Sequence, residues 1–389
     1  MSVNTMNFEQ AATLLNAVHS QVTGKTQIAP ADVSEFISVA QKTIAAGYDP
    51  VLNAITQVVG RTIFSMRPYS AKFGGIQADS QKWGSITRKL VLADKPLEDN
   101  QAFNLVDGQS VDMFRVNKPQ ALQVNFYGAL EYSKSFTIFR SQLDNAFRGP
   151  EEFGRFMAMV TQNALDMIEQ TKETCARLTL DNFIAGKIAA NNGVIHLLTE
   201  YNQDVGGSYT ATTIKAAANW KDFVKWVYAR IATLTGLMSE RSEEYQIKVT
   251  GYDINRHTPF ENQKVYLFAD ILNAIDARVL ADTYNYKFIE YADVEAVGFW
   301  QSIETRDEIQ IKPTYLQADG TLTTSQNAIT QGDIMGVIFD DEALGYTTFN
   351  EFSGITPMNV RGEYWNQYFN YVIRYWNDFT EKGLVLLLD

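Results

Sequence analysis

The chain reads as an α+β protein, and three observations carry that reading. The stretch from Gly149 to Ala190 has the spacing of one very long amphipathic helix. Several other stretches alternate apolar and polar residues as strands do. Helices and strands intermingle without a β-α-β rhythm, which argues against a doubly wound parallel sheet.

The long helix comes first in importance. Phe153, Phe156, Met157, Val160, Ala164, Met167, Ile168, Cys175 and Leu178 recur at steps of three and four. Pro150 suits a first helical position, and Glu151 and Glu152 favour the positive end of the helix dipole. Gly186 is one candidate stop; Ala190 followed by Gly193 is the other. At ~1.5 Å per residue the helix spans roughly 50–60 Å, enough to be a spine across which other elements pack. A long core helix of an α+β enzyme is the plain alternative.

Ahead of the spine, Phe8, Ala11, Ala12, Leu14, Leu15 and Val18 place a short helix that QVTGKTQIAPAD breaks. Helical spacing resumes from Ser34 to Ala46, with Gly47 as its stop, and again from Pro50 to Gly60. These helices are expected to be too short to own a core, forming an arm that lies on something else. Residues 61–140 then turn β-like. Trp83, Ile86, Leu90 and Leu92 mark one strand, Leu122, Val124 and Phe126 alternate, and so do Phe136 and Ile138. The pattern predicts a long antiparallel ribbon with a loose tip between Asp94 and Pro119. A two-stranded ribbon is marginal in water, so the body or a neighbouring molecule must back it.

After the spine, Val194 to Tyr201 is expected as a short buried strand. Asn219 is expected to cap a helix from Trp220 to Met238. Glu243 to Thr250 and Gln263 to Phe268 read as strands, Ala269 to Tyr284 as a helix, and 286–316 as strand-rich. Gln317 to Gln331 is a polar loop. GVIFDDEALGYTTF is a strand running into a turn, and Tyr364 to Leu388 is a final pair of strands.

Composition narrows the function. At 389 residues the chain has room for two or three domains, and no apolar run approaches the ~20 residues that span a bilayer. The start, MSVNTMNFEQ, lacks the basic-then-apolar order of a secretory signal. A net charge of −12 does not make the basic stripe of a duplex-DNA reader, although an acidic wall suits a container that must not grip phosphates. The single cysteine, Cys175, falls on the apolar face of the spine, where a buried thiol is expected rather than a nucleophile.

No catalytic, cofactor or metal site is predicted. Gly24-Lys25-Thr26 resembles the end of a phosphate loop, but position 19 holds His19 and no apolar strand precedes it. His19, His196 and His257 are far apart, without metal-ligand spacing. Asp340, Asp341 and Glu342 could supply paired carboxylates for glycoside chemistry or hold a hard cation, with a solvated turn as the plain reading. Glu240, Glu243 and Glu244 beside Arg241 read as a charged loop. The aromatics of EYWNQYFNYVIRYW, Glu363 to Trp376, read as a half-buried sheet rather than a sugar platform.

What stands out is architectural: arm, ribbon, spine, mixed sheet. In that order these parts resemble the major capsid protein of a tailed bacteriophage with the Hong Kong 97-type fold. EFISVAQKTIAAGYDPVLNAITQVVGRTIFSMRPY (35–69), FGGIQADSQKWGSITRKL (73–90) with the following LADKP, and VIHLLTEYN (194–202) are similar to phage head proteins. So are WQSIETRDEIQIKP (300–313), MGVIFDDEALGY (335–346) and TEKGLVLLLD (380–389). The resemblance implies an N-terminal arm at 1–65 and an extended β-hairpin loop at 66–140 lying over an adjacent subunit. It implies a peripheral domain at 141–199 with the spine at 149–190, and an axial domain at 200–330. C-terminal strands at 331–389 would return to the peripheral domain.

It also implies self-assembly into pentamers and hexamers of an icosahedral shell. That shell would enclose double-stranded DNA without sequence-specific binding, together with a portal and separate scaffolding or decoration proteins. The place is the virion capsid, built in the bacterial host cytoplasm, with no membrane and no cofactor. No long coiled-coil leader precedes the arm, so scaffolding is expected to come from a separate protein or to be dispensed with. Lys82, Lys89 and Lys95 lie in the ribbon, where some relatives crosslink a lysine, but nothing marks them for that reaction. Two alternatives remain: an encapsulin-like compartment of the same fold, and a carbohydrate-active enzyme using Asp340 and Glu342.

Overall fold

The structure is a computed structural model, and it describes residues 8–25, 32–59, 72–79, 87–94, 100–112, 114, 116, 118–275 and 293–389. Three helices lead: α1 (Phe8–Thr23), α2 (Val33–Ala45) and α3 (Tyr48–Val59). The Asp32 carboxylate caps α2 by accepting from the Glu35 N–H at 2.8 Å, and Gly47 ends it in a left-handed turn. The expectation that these helices lack a core is corrected. Leu15, Val18, Phe36, Val51 and Ile55 are buried together with Phe153, Phe156 and Met157 at the start of the spine, and with Ile138 and Trp365. The three helices pack as a cluster on the spine's first turns, because the spine presents an aromatic end there that would otherwise meet water.

The ribbon exists but is shorter than expected. Strand β1 (Thr87–Leu92) pairs antiparallel with β2 (Ala121–Phe126), with Lys89 opposite Val124 and Val91 opposite Leu122. The next strand, β3 (Ala129–Phe139), leaves the ribbon and joins a different sheet. Trp83, Ile86, Lys82 and Lys95 lie outside the described residues.

After α4 (Arg140–Ala146) comes the spine, α5 (Pro150–Ala189). It passes through Gly186 and ends where Asn191 and Gly193 turn left-handed, so the later stop holds. Strand β4 (Val194–His196) leads into α6 (Leu197–Val205), which corrects the expected strand to Tyr201. Leu197, Leu198 and Tyr201 share a helical face as readily as a strand does, and a short apolar run does not distinguish the two.

Then follow α7 (Ala211–Ile214) and α8 (Ala217–Ser239). The cap of α8 is Ala216, not Asn219, which sits inside the first turn with its amide 3.4 Å from the Thr213 carbonyl. The expected strand from Glu243 to Thr250 is not one. Its alternation is real, with Ile247 and Val249 buried, but its backbone bonds go to loops: Ile247 N–H to Phe379 and Thr250 N–H to Ala318, both 2.8 Å.

The remaining elements are β5 (Gln263–Phe268), α9 (Ala269–Ile275), β6 (Asp293–Val297), β7 (Ile309–Ile311) and β8 (Thr314–Leu316). They are followed by β9 (Leu322–Thr324), β10 (Ile329–Gln331), β11 (Ile334–Asp340), β12 (Leu344–Ile355), β13 (Tyr364–Asn377) and β14 (Gly383–Leu387). The second half of the expected 269–284 helix lies outside the described residues. The expected polar loop from Gln317 to Gln331 contains β9 and β10, which pair with β8 and β7. Threonine supplies enough β preference for such short pairings.

Among the described residues the main sheet runs β4-β14-β11-β5-β6, mixed in direction. It is buried on both faces. On one side Val337, Phe339, Val385 and Leu387 meet Cys175, Leu180, Phe183 and Ile184 of the spine. On the other side Ile338, Leu384 and Leu386 meet Phe223, Val227, Ile231 and Leu234 of α8. Double burial explains why β14 is apolar at every position instead of alternating. A second sheet, β12-β13-β3, packs against the spine's first half.

Candidate assembly surfaces

Period-two alternation decides what the ribbon shows to water. Thr87, Lys89 and Val91 on β1, with Phe126, Val124 and Leu122 opposite them, face the body, while Arg88, Leu90 and Leu92 face out. Leu90 and Leu92 are exposed. Beyond them the tip carries Phe103 at 86% exposure, Val106 at 68%, Phe114 at 85% and Val116 at 78%. Large apolar side chains this open, all on the segment that joins β1 to β2, mark an interaction surface.

Under the ribbon lies a groove of about 600 Å3. Leu122, Val124 and Phe126 line it from above, and Leu178, Ile311 and Leu316 from the body. Polar ties close the ends. Lys89 Nζ lies 2.9 Å from Glu342, 3.1 Å from Asp378 and 2.5 Å from Glu381. Asp94 pairs with Arg241 at 2.6 Å and accepts from the Asn255 N–H at 2.8 Å. The Asn255 N–H and Arg241 hold the Asp94 carboxyl below its usual range. Burial of Glu381 outweighs its two cations and pushes its carboxyl up to about 6.

None of these ties was foreseen, because Leu90 and Leu92 mark the opposite face of the strand as the apolar one, and the structure turns that face outward.

A second open surface lies on the three-stranded sheet, where Phe352 and Tyr368 are exposed, and continues to Val360 in the turn between β12 and β13. Trp365, Phe369 and Ile373 of the same aromatic run are buried, as a half-buried sheet requires.

The residues weighed for chemistry go to structural duties. Asp340 is buried. One of its oxygens accepts from the Thr258 hydroxyl at 2.7 Å and the other from the Glu342 N–H at 2.9 Å. Glu342 points outward to Lys89, so Asp340 and Glu342 do not converge on a substrate space. Asp341 is pushed up to about 6 by burial and the neighbouring Asp340 charge. Glu243 pairs with Lys248, and Arg241 with the ribbon.

His19 is buried beside Thr43, His196 meets Asp389 at 2.6 Å, and His257 is exposed. No group of three or more His, Cys, Asp or Glu able to hold a metal occurs among the described residues. Cys175 is buried, and burial pushes its thiol up to about 11. Gly24 ends α1 in a left-handed turn, the reverse of the strand-to-helix entry a phosphate loop needs.

The fold is similar to a chain in the capsid structure of Staphylococcus phage Andhra, with a TM-score of 0.56 at 11% identity, over 84% of this chain and 87% of that one. It is also similar to a chain in the structure of head fiber and inner core protein gp22 of native bacteriophage P68, with a TM-score of 0.52 at 11% identity over the same shares. Comparison with curated protein sequences gives no match. The family described as Phi29-like phage major capsid protein matches residues 13–380, and the chain belongs to that family. It is a structural, shell-forming protein of a bacteriophage virion.

Proposed function

We propose that the chain closes into pentamers and hexamers of an icosahedral head around double-stranded DNA, with the ribbon tip of each copy lying over its neighbour. The carrying observation is the ribbon tip. Phe103, Val106, Phe114 and Val116 remain open to water in the lone chain. Covering them on a second copy removes apolar area at ~25 cal/mol per Å2, and closed rings repeat the gain at every contact. The divisions at 1–65, 66–140, 141–199, 200–330 and 331–389 serve as arm, extended loop, peripheral domain, axial domain and returning strands of a Hong Kong 97-type protomer.

The intramolecular packing of α1–α3 supports an arm that begins on its own spine. The net charge of −12 supports a wall that leaves packaged DNA free. The role is structural rather than catalytic. A portal and separate scaffolding or decoration proteins complete the head, which is built in the host cytoplasm.

Electron microscopy of the overexpressed chain, alone and with the product of the neighbouring upstream gene, tests this reading. Closed particles are expected from the wild type, and unassembled capsomers from the double variant Phe103→Ser, Phe114→Ser. Normal closed particles from that variant would count against the ribbon tip as the assembling surface.

A further inference from the structure

The ribbon is fastened to its own body by charge more than by packing. Leu122, Val124 and Phe126 are only half-buried over the groove, and Leu178 across from them is exposed. Val91 is buried and Asp94 is tied at the end of the strand, and β1 is further fastened by Lys89, whose ammonium meets Glu342, Asp378 and Glu381. These carboxylates come from two turns of the body, one between β11 and β12 and the other between β13 and β14.

The socket is organised without the ribbon. Arg256 lies 2.9 Å from Glu381, and Asp378 accepts from the Thr380 N–H at 2.9 Å and from its hydroxyl at 2.6 Å. The side chains of Asp378 and Glu381 are almost fully buried, whereas Lys89 reaches them from the water side. Among the described residues Lys89 and Arg256 pair with these three carboxylates, and the buried Lys187 also lies near enough to Asp378 to feel its charge. The Asp94 tie, next along the strand, gives the ribbon a second fastening of the same kind.

We propose that Lys89 and its carboxylate socket form a releasable latch, which when closed lays the ribbon on its own body and when open frees it to move as a unit. An apolar seam opens only by exposing surface to water. Of the three carboxylates Glu342 alone is open to water, so release begins there and needs another cation to take the place of Lys89 beside the two nearly buried ones. The destination of the freed ribbon, a second copy, rests on the shell reading above; the latch does not.

Hydrogen–deuterium exchange on the unassembled full chain tests it, because a ribbon released from the body is an isolated hairpin and frays. In Lys89→Met the peptides covering β1 and β2 are expected to exchange about tenfold or more faster. Those of β11 and β14 keep wild-type rates, and Lys89→Arg restores protection. Unchanged protection of β1 and β2 in Lys89→Met would overturn the latch. Should Lys89→Met lose protection at β11 and β14 as well, Glu342→Gln decides, because that carboxylate is exposed. Acceleration confined to β1 and β2 supports the latch, and none overturns it. Particles are scored separately by microscopy, so their absence with accelerated exchange counts against the shell reading alone.

Discussion

The ring of Phe379 occupies the space that a side chain on Gly186 would need. The same ring stacks on Phe183 at 5.4 Å between centroids and 10° between planes. The spine and the turn before β14 therefore meet with no room to spare, and a glycine deep in a helix is retained for packing.

That contact sets a test against helix propensity. In an open helix, alanine for glycine would stabilise by about 1 kcal/mol. Here Gly186→Ala must displace Phe379 from its stack, so a net destabilisation of about 1–3 kcal/mol is expected. Thermal or urea unfolding of the variant measures it, and a rise in stability would show that the ring moves freely.

Arg177 gives a second test. Its guanidinium donates to Glu173 at 2.7 Å and to the Phe299 carbonyl at 2.5 Å, and lies 3.8 Å from the Phe299 ring centre. Lysine cannot reproduce that fork or stack on the ring. Arg177→Lys is expected to cost about 2–3 kcal/mol, because the ammonium gives the nearly buried Glu173 a point charge in place of the fork and gives up the contacts with Phe299. Unfolding midpoints against the wild type settle it.

Asp181 gives a pH-dependent test. It is buried in the spine, one of its oxygens has no hydrogen-bond partner among the described residues, and burial pushes its carboxyl up to about 7. The folded chain therefore holds this proton more tightly than the unfolded chain. Stability attached to the group is fully present below about pH 4 and is lost as pH rises through 7. Asp181→Asn is expected to raise the melting temperature at pH 8, by up to about 4 kcal/mol of stability, and to change little at pH 4. Equal effects at both pH values would contradict a buried, proton-holding carboxyl.

His19 titrates in the opposite sense. Its Nδ1 lies 2.9 Å from the Thr43 hydroxyl, which itself donates to the Val39 carbonyl, so the imidazole N–H is the donor. Burial first, then the Lys42 charge, lowers its affinity for a proton. The unfolded chain binds that proton more readily, so stability is present above about pH 6.5 and lost as pH falls below it. The α1–α3 cluster is expected to loosen as pH falls below about 6.5 in the wild type, read by exchange of its amides. His19→Gln removes that dependence.

Local signals were strong enough to place the three leading helices, the spine with its start, β5, β11 and the final strand pair, because each carries its period within its own residues. Partnership was not legible. The apolar runs of β13 and β14 are consecutive, yet they belong to different sheets. The alternating stretch from Glu243 to Thr250 finds loops instead of a strand. The assembling surface was half legible: the ribbon and its tip could be read, whereas Lys89, Asp94 and their sockets could not. Glu342, Asp378 and Glu381 approach Lys89 from segments hundreds of residues away, and no short window contains both sides of such a contact.

Residue order alone was enough to specify an α+β chain with a long spine, a ribbon that needs backing and the capsid resemblance, since periodicity and collinear segments are properties of the string. Folding in three dimensions chose the backing. It laid the leading helices on the start of the spine, moved β3 out of the ribbon into a second sheet, and fastened the ribbon by charge across an open groove. Those outcomes depend on which distant surfaces bury one another best, and that competition is resolved only when all of them are present together.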